Sequence, residues 1–331
     1  MIRRLLPGLI AVWATPFAAA AATWTVNVTG PIELGSVGAA VTGDTVFRVD
    51  SSSGAVTVVS GAGRRLTSGS ARVQVDVSCR PARGNDNACV NNNVMMRVGV
   101  IGTVTGRARA FTAFNVTMGT ASLVSGPTGS NPLQFTLTPV GNNTVKTFFI
   151  GADFPVAGDD SGLTSGLGEN GFYAYAVDAG GATLAGDADK GKVTVYRSLA
   201  VAKTADLNFG RIQIPTSGSS TITLNATNGN RSVSGNAFAY PTPAPTRGAF
   251  TISGEGGQQV SLSIPTTIQM ASGANTLSVN VTNNAQTTPR LSGNLGAAGT
   301  YDFAVGGSFS ITPTTPVGSY SGILTVSVDY N

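Results

Sequence analysis

Apolar and polar residues alternate with a period of two along most of this chain. Val73, Val75, Val77 and Cys79 interleave with Arg72, Gln74, Asp76 and Ser78. Val260, Leu262 and Ile264 alternate with Ser261 and Ser263, and Leu277, Val279 and Val281 with Ser278 and Asn280. A strand of this kind buries one face and wets the other, as antiparallel sandwiches require. Beyond the N-terminal segment, no stretch of about 12 residues carries an apolar stripe at the helical period. Turn signals separate the runs at Gly61, Asn91 to Asn93, Gly141 to Asn143, Gly180-Gly181, Asn228 to Asn230 and Gly256-Gly257. The pattern predicts an all-β chain of many short strands.

The landmarks come twice in the same order. Ile32-Glu33-Leu34-Gly35-Ser36-Val37 matches Leu207-Asn208-Phe209-Gly210-Arg211-Ile212, and each follows an alternating segment, Trp24, Val26 and Val28 or Leu199 and Val201. Phe149 to Phe154 matches Phe303 to Phe309. Each half then reaches a Gly-aromatic run, Gly171 to Val177 in one and Gly318 to Val328 in the other. A repeated order of landmarks is the mark of duplicated units. The expected organisation is two related tandem immunoglobulin-like β-sandwich domains, 23–198 and 199–331.

The first residues change the picture of where the protein acts. Arg3 and Arg4 precede an apolar run from Leu5 to Phe17, and small residues follow from Ala18 to Ala22. This is the layout of a cleaved secretory signal, residues 1–22, with the mature chain starting near Thr23. The protein is therefore expected to be exported, through a periplasm to a cell surface or the exterior. In that oxidising setting Cys79 and Cys89 are assigned to a disulfide around a short loop. A metal or redox pair would need further ligands, and the chain contains no histidine.

Little chemistry is on offer. Without histidine there is no Ser-His-Asp triad and no His-ligated zinc. No phosphate-cradling loop is present, and glutamate occurs only at Glu33, Glu169 and Glu255. Without the leader the chain carries 18 basic against 16 acidic residues, and no basic cluster marks a nucleic-acid partner. The expectation is no catalytic residue, no cofactor and no metal. Asp153, Asp159 and Asp160 in one loop and Asp187 and Asp189 in another follow no calcium-binding spacing, and are read as turn residues. Trp24 is read as core, Val94, Met96, Val98 and Val100 as a buried strand face, and Tyr173 and Tyr175 as neighbours on one face.

The chain's last segment carries the sharpest signal. Tyr320, Gly322, Leu324, Val326, Val328 and Tyr330 share one parity, with Gly318 fourteenth from the end and Tyr330 penultimate. This run resembles the C-terminal signature of chaperone–usher pilus subunits. Leu207-Asn208-Phe209-Gly210 resembles the opening of archaic pilins and spore-coat-protein-U-like domains. Residues 199–331 are similar to the bacterial domain family of unknown function DUF4402, which shares both motifs. Two departures stand out: the second domain has no cysteine, and Trp24 stands where the first would be expected to have one.

The resemblance implies an immunoglobulin-like sandwich missing its last strand. Its groove would be filled first by a periplasmic chaperone, then, at an usher, by the N-terminal strand of another subunit. Tyr320, Leu324, Val326, Val328 and Tyr330 would line that groove, and Gly318 would let the chain turn into it. Only about 12 residues separate Thr23 from Gly35 (35 minus 23), and Trp24 to Val28 already reads as a fold strand, which leaves little room for a donor extension. The expected role is thus a fimbrial tip adhesin, with the first domain adhesive and its receptor unknown. A self-contained secreted module for a glycan or surface, and a coat or matrix protein, are the alternatives.

Overall fold

The computed structural model describes residues 21–83 and 87–331. The predicted leader lies outside the described residues except for Ala21 and Ala22. No helix among the described residues is long and apolar enough to cross a membrane. The chain is all-β, as the alternation predicts, and forms two sandwich units in tandem.

The N-terminal unit contains β1 (Thr23–Val28), β2 (Ile32–Gly38), β3 (Thr45–Val49), β4 (Val56–Ser60), β5 (Arg64–Arg65) and β6 (Val73–Arg80). A short helix α1 (Ala88–Asn91) leads to β7 (Val94–Val100), β8 (Ala113–Met118), β9 (Leu123–Thr128), β10 (Leu133–Leu137), β11 (Val145–Val156), β12 (Gly166–Val177) and β13 (Thr183–Tyr196). One sheet has the order β1-β6-β11-β3-β4, with β8 also on β11; the facing sheet is β5-β2-β13-β12-β7-β10-β9.

The C-terminal unit contains β14 (Ala200–Ala205), β15 (Ile212–Gln213), β16 (Ser220–Leu224), β17 (Arg231–Ser234), β18 (Phe238–Ala239) and β19 (Gly248–Glu255). It continues with β20 (Val260–Ser263), β21 (Thr267–Ser272), β22 (Asn275–Asn283), β23 (Ala298–Ile311) and β24 (Ser327–Tyr330). Its main sheet has the order β14-β19-β23-β16-β17, with β22 also on β23. The opposite layer consists of short pieces, β15-β18 and β20-β24.

The main sheets of the two units share one layout, and the likeness extends to single hydrogen bonds. Asp50 and Asn225 stand 175 residues apart (225 minus 50) and close the same turn. Asp50 Oδ1 accepts from the Ser52 and Ser53 amides, and Asn225 Oδ1 from those of Thr227 and Asn228. Arg72 donates to the Ser51 and Ser52 carbonyls, and Arg247 to those of Ala226 and Thr227. Gly35 and Gly210 both hold left-handed φ, at 72° and 74°. A Cβ at Gly151 would meet Val49 O at 2.1 Å, and one at Gly306 would meet Leu224 O at 2.1 Å. The N-terminal unit spends twenty more residues between β6 and β11 than the C-terminal unit does between β19 and β23 (77 from Val73 to Ile150, 57 from Gly248 to Val305). That longer connection carries α1, whose Cys89 is tied back to Cys79 on β6 by a disulfide with Cα atoms 5.6 Å apart.

The cores differ. The N-terminal unit has one continuous core, with Phe111 packed against Phe114, Phe154 and Phe172. Trp24 is partly buried against it, and Val94, Met96 and Val98 are buried while Val100 at the strand end is exposed. Tyr173 and Tyr175 stack on the outer face with ring centroids 4.3 Å apart. The C-terminal core is split in two clusters, and in both the half-buried apolar residues outnumber the buried ones. That core is incompletely covered.

Three expectations are corrected. Asp187 and Asp189 lie on β13 rather than in a loop, and Asp187 accepts the Val28 amide at 2.8 Å. Asp153 lies on β11 and holds Arg48 through two 2.7 Å hydrogen bonds. The terminal run is a regular strand only over Ser327–Tyr330. Continuing the β20-β24 register (Ser263 with Ser327) puts Pro265 opposite Thr325, and proline has no N–H to give.

Candidate functional site

In the N-terminal unit β13 lies between β2 and β12. It runs parallel to β2 (Val195 beside Val37) and antiparallel to β12 (Val195 beside Gly166). The repeat locates the same place in the C-terminal unit. The counterpart of β2 is residues 207–213, which pair on one side with β18 as β2 pairs with β5. The counterpart of β12 is the terminal run, which pairs on one side with β20 and bridges Ala271 through Ser321, as β12 pairs with β7. Between these two segments, no strand is present among the described residues.

A groove of about 420 Å³ lies there. Leu207, Phe209 and Ile212 form one wall, and Val317, Gly318 and Tyr320 the other. Its floor is made of Met270, Leu277, Phe309 and Ile311, residues of the incompletely covered core. Further along, Leu324, Val326, Val328 and Tyr330 rest half-buried on the second core cluster, while Ile323 on the opposite parity is 86% exposed. The backbone of residues 322–326 makes no hydrogen bond to other described residues. An apolar floor beside an unpaired extended backbone is a template for one more strand.

Gly318, Tyr320, Leu324, Val326, Val328 and Tyr330 thus lie along one rim of this place. The structure gives Gly318 a different part from the expected one. It is not left-handed; instead a Cβ there would stand 2.3 Å from Ser272 Oγ, so glycine serves close approach to the neighbouring strand. Cys79 and Cys89 are remote in the fold from the groove and staple β6 to α1.

Tyr330 has a second setting that its parity did not reveal. Its hydroxyl donates to Arg197 O at 2.8 Å and accepts from the Glu255 amide at 2.7 Å, and its ring meets Tyr196 at 5.4 Å. Burial pushes the hydroxyl's pKa up from 10.0 to about 12, against the hydrogen bond from the Glu255 backbone and with the negative charge of Glu255 and Asp159. Glu255 is wholly buried and accepts from the Arg197 and Gly296 amides. On the other side Asp159 accepts from Ser198 N at 2.8 Å and Ser198 Oγ at 2.5 Å, and pairs with buried Arg107. Burial opposes the charge on Asp159, but the bonds from Ser198 and Arg107 outweigh it and hold its pKa below the usual range. Residues 196–199 are thereby clamped from both units.

Among the described residues, no group of three metal-ligating side chains is gathered. Residues 199–330 match the family described as Domain of unknown function (DUF4402). The match begins at the linker, just before β14, and runs to Tyr330, so both groove walls belong to the family region. No curated protein matches the sequence. Two solved structures show distant likeness. One is from a chaperone–tip adhesin complex of CFA/I fimbriae biogenesis: 7% identical, 92% of this chain and 98% of that chain covered, TM-score 0.23. The other is a C-terminal fragment of the major pilin GBS80 of Streptococcus agalactiae: 11% identical, 70% and 85% covered, TM-score 0.21. Superpositions this loose carry no functional weight.

Proposed function

We propose that this chain is a non-enzymatic subunit of a fimbria-like surface fibre, in which residues 199–331 accept a strand donated by another subunit. One observation carries the reading: β13 fills its slot in the first unit, and the same slot in the second is an open apolar groove. A donated strand would supply backbone partners along residues 322–326 and place alternate side chains on Phe209, Phe309 and Leu324. Burying one Val- or Leu-sized side chain contributes roughly 1.5–3 kcal/mol, less the cost of ordering the strand, so several together hold it firmly. An exposed edge of this kind is an aggregation hazard in transit, which is the work of a periplasmic chaperone before an usher passes the subunit on. β1 is already paired with β6 and buries Val26 and Val28, so that segment serves its own unit. In this reading the subunit sits at the tip of the fibre, with the N-terminal unit as the adhesive part.

The test is to express the mature chain, internally tagged, in its own host, with and without residues 318–331. A periplasmic chaperone should co-purify with the whole chain and be lost with the truncation. A stable chaperone-free monomer would instead favour a self-contained binding module.

A further inference from the structure

The groove lies beside the start of the terminal run, and a second cleft, of about 340 Å³, lies beside its end, at the junction of the two units. One side of this cleft is Val328 to Tyr330 with Leu199; the other is the N-terminal unit's Gly38 to Thr42, Arg64 and Leu66. Val41 is not among the residues of the N-terminal core and is 67% exposed. Arg64 reaches across to Asp329 at 2.9 Å, an exposed ion pair that spans the cleft.

The first unit fixes the direction in which a strand must lie. β13 is antiparallel to β12, starting where β12 ends: Thr183 is beside Val177. A strand in the corresponding place of the second unit starts beside Tyr330 and ends beside Gly318. Its leading residues therefore arrive at the junction, not at the far tip of the molecule. We infer that the N-terminal unit forms one wall of the strand-binding site, and that the first residues of the donated strand are recognised in the junction cleft by Val41, Leu199 and Val328. This rests on the strand-acceptor reading and extends it. The occupant is the start of an extended donor segment, apolar and small enough to lie between Val41 and Leu199. One strand then touches both units, so its docking braces the junction, and its first residues help select which subunit comes next in the fibre.

The experiment extends the mature chain beyond Asn331 with a copy of residues 178–196, the turn and strand that complete the first unit. Val41→Cys is combined with cysteine in place of the copied Thr183, and disulfide formation is read by mass spectrometry. Cα atoms must come within about 7 Å for that bond to form, and the native Cys79–Cys89 pair leaves no competing free thiol among the described residues. A control carries aspartate at the copied Val193 and Val195, so that the strand stays tethered but cannot seat. The inference expects the extension to raise Tm and the cross-link to form in high yield, falling at least tenfold in the control. A raised Tm with no cross-link, or with equal yield in the control, overturns the junction site and leaves the groove standing. No rise in Tm overturns the acceptor groove and this inference with it.

Discussion

Replacing Tyr330 by phenylalanine removes one oxygen and keeps the ring against Tyr196. That oxygen serves two backbone groups, the carbonyl of Arg197 and the amide of Glu255. Glu255 has no exposed surface, so its N–H would be left without a partner; Arg197 is only partly buried, and water can replace the lost donor. A buried unsatisfied donor costs about 1–3 kcal/mol, and the carbonyl adds about half of that at most, for an expected loss of roughly 2–3 kcal/mol. For a unit of this size that corresponds to a Tm lowered by about 6–12 °C, read by calorimetry on the transition of the C-terminal unit. The hydroxyl's pKa supplies a second readout. Folding raises it from 10.0 to about 12, so its contribution is complete below pH 10 and disappears as pH climbs towards 12. The gap between the wild type and Tyr330→Phe should close across that window. A phenylalanine variant within about 1–2 °C of wild type at neutral pH, well under the shift expected for one orphaned amide, would refute the clamp.

The repeat makes further outcomes predictable. Asp50→Asn should keep its turn, because Asn225 closes the equivalent turn with an amide oxygen. The hydrogen bonds from Ser52 and Ser53 hold the Asp50 carboxyl at about 2, so the wild type loses this contribution as pH falls from 3.8 towards 2, and the variant should lack that acid-dependent step in a pH titration of stability. Gly306→Ala drives a Cβ into Leu224 O and should cost about 3 kcal/mol or more in urea unfolding of the C-terminal unit, while Gly151→Ala should weaken the N-terminal unit instead. Changing Cys79 and Cys89 together to alanine should cost about 3 kcal/mol, the loop-closure value for so short a bridge, with no effect on strand acceptance by the groove.

Much of the fold was legible because alternation reports which face of a strand is wet. The repeat was legible at positions where backbone geometry demands a residue type: left-handed Gly35 and Gly210, or Gly151 and Gly306 against a neighbouring carbonyl. Alternation says nothing about hydrogen-bond partners, which is why the terminal run read as a continuous strand although Pro265 interrupts its pairing. The groove was half legible. Its rim from Gly318 to Tyr330 carries a local pattern, whereas its other wall and floor come largely from segments distant in the chain. The position of β13 between β2 and β12 is a matter of topology that no local window contains. The junction clamp was hidden for the same reason: Tyr330 and Arg197 are 133 residues apart, and Glu255 gave no sign of being the buried carboxylate between them.

The most direct test of the acceptor groove is thermal unfolding of the mature chain extended by residues 178–196, set against the unextended chain, both without any chaperone. If the slot between residues 207–213 and 318–330 takes a strand, the extension raises the Tm of the C-terminal unit by about 10 °C or more, the shift expected for burying two valine-sized side chains, and protects residues 318–331 from proteolysis. An unchanged Tm and an extension that is trimmed away at once would contradict the account.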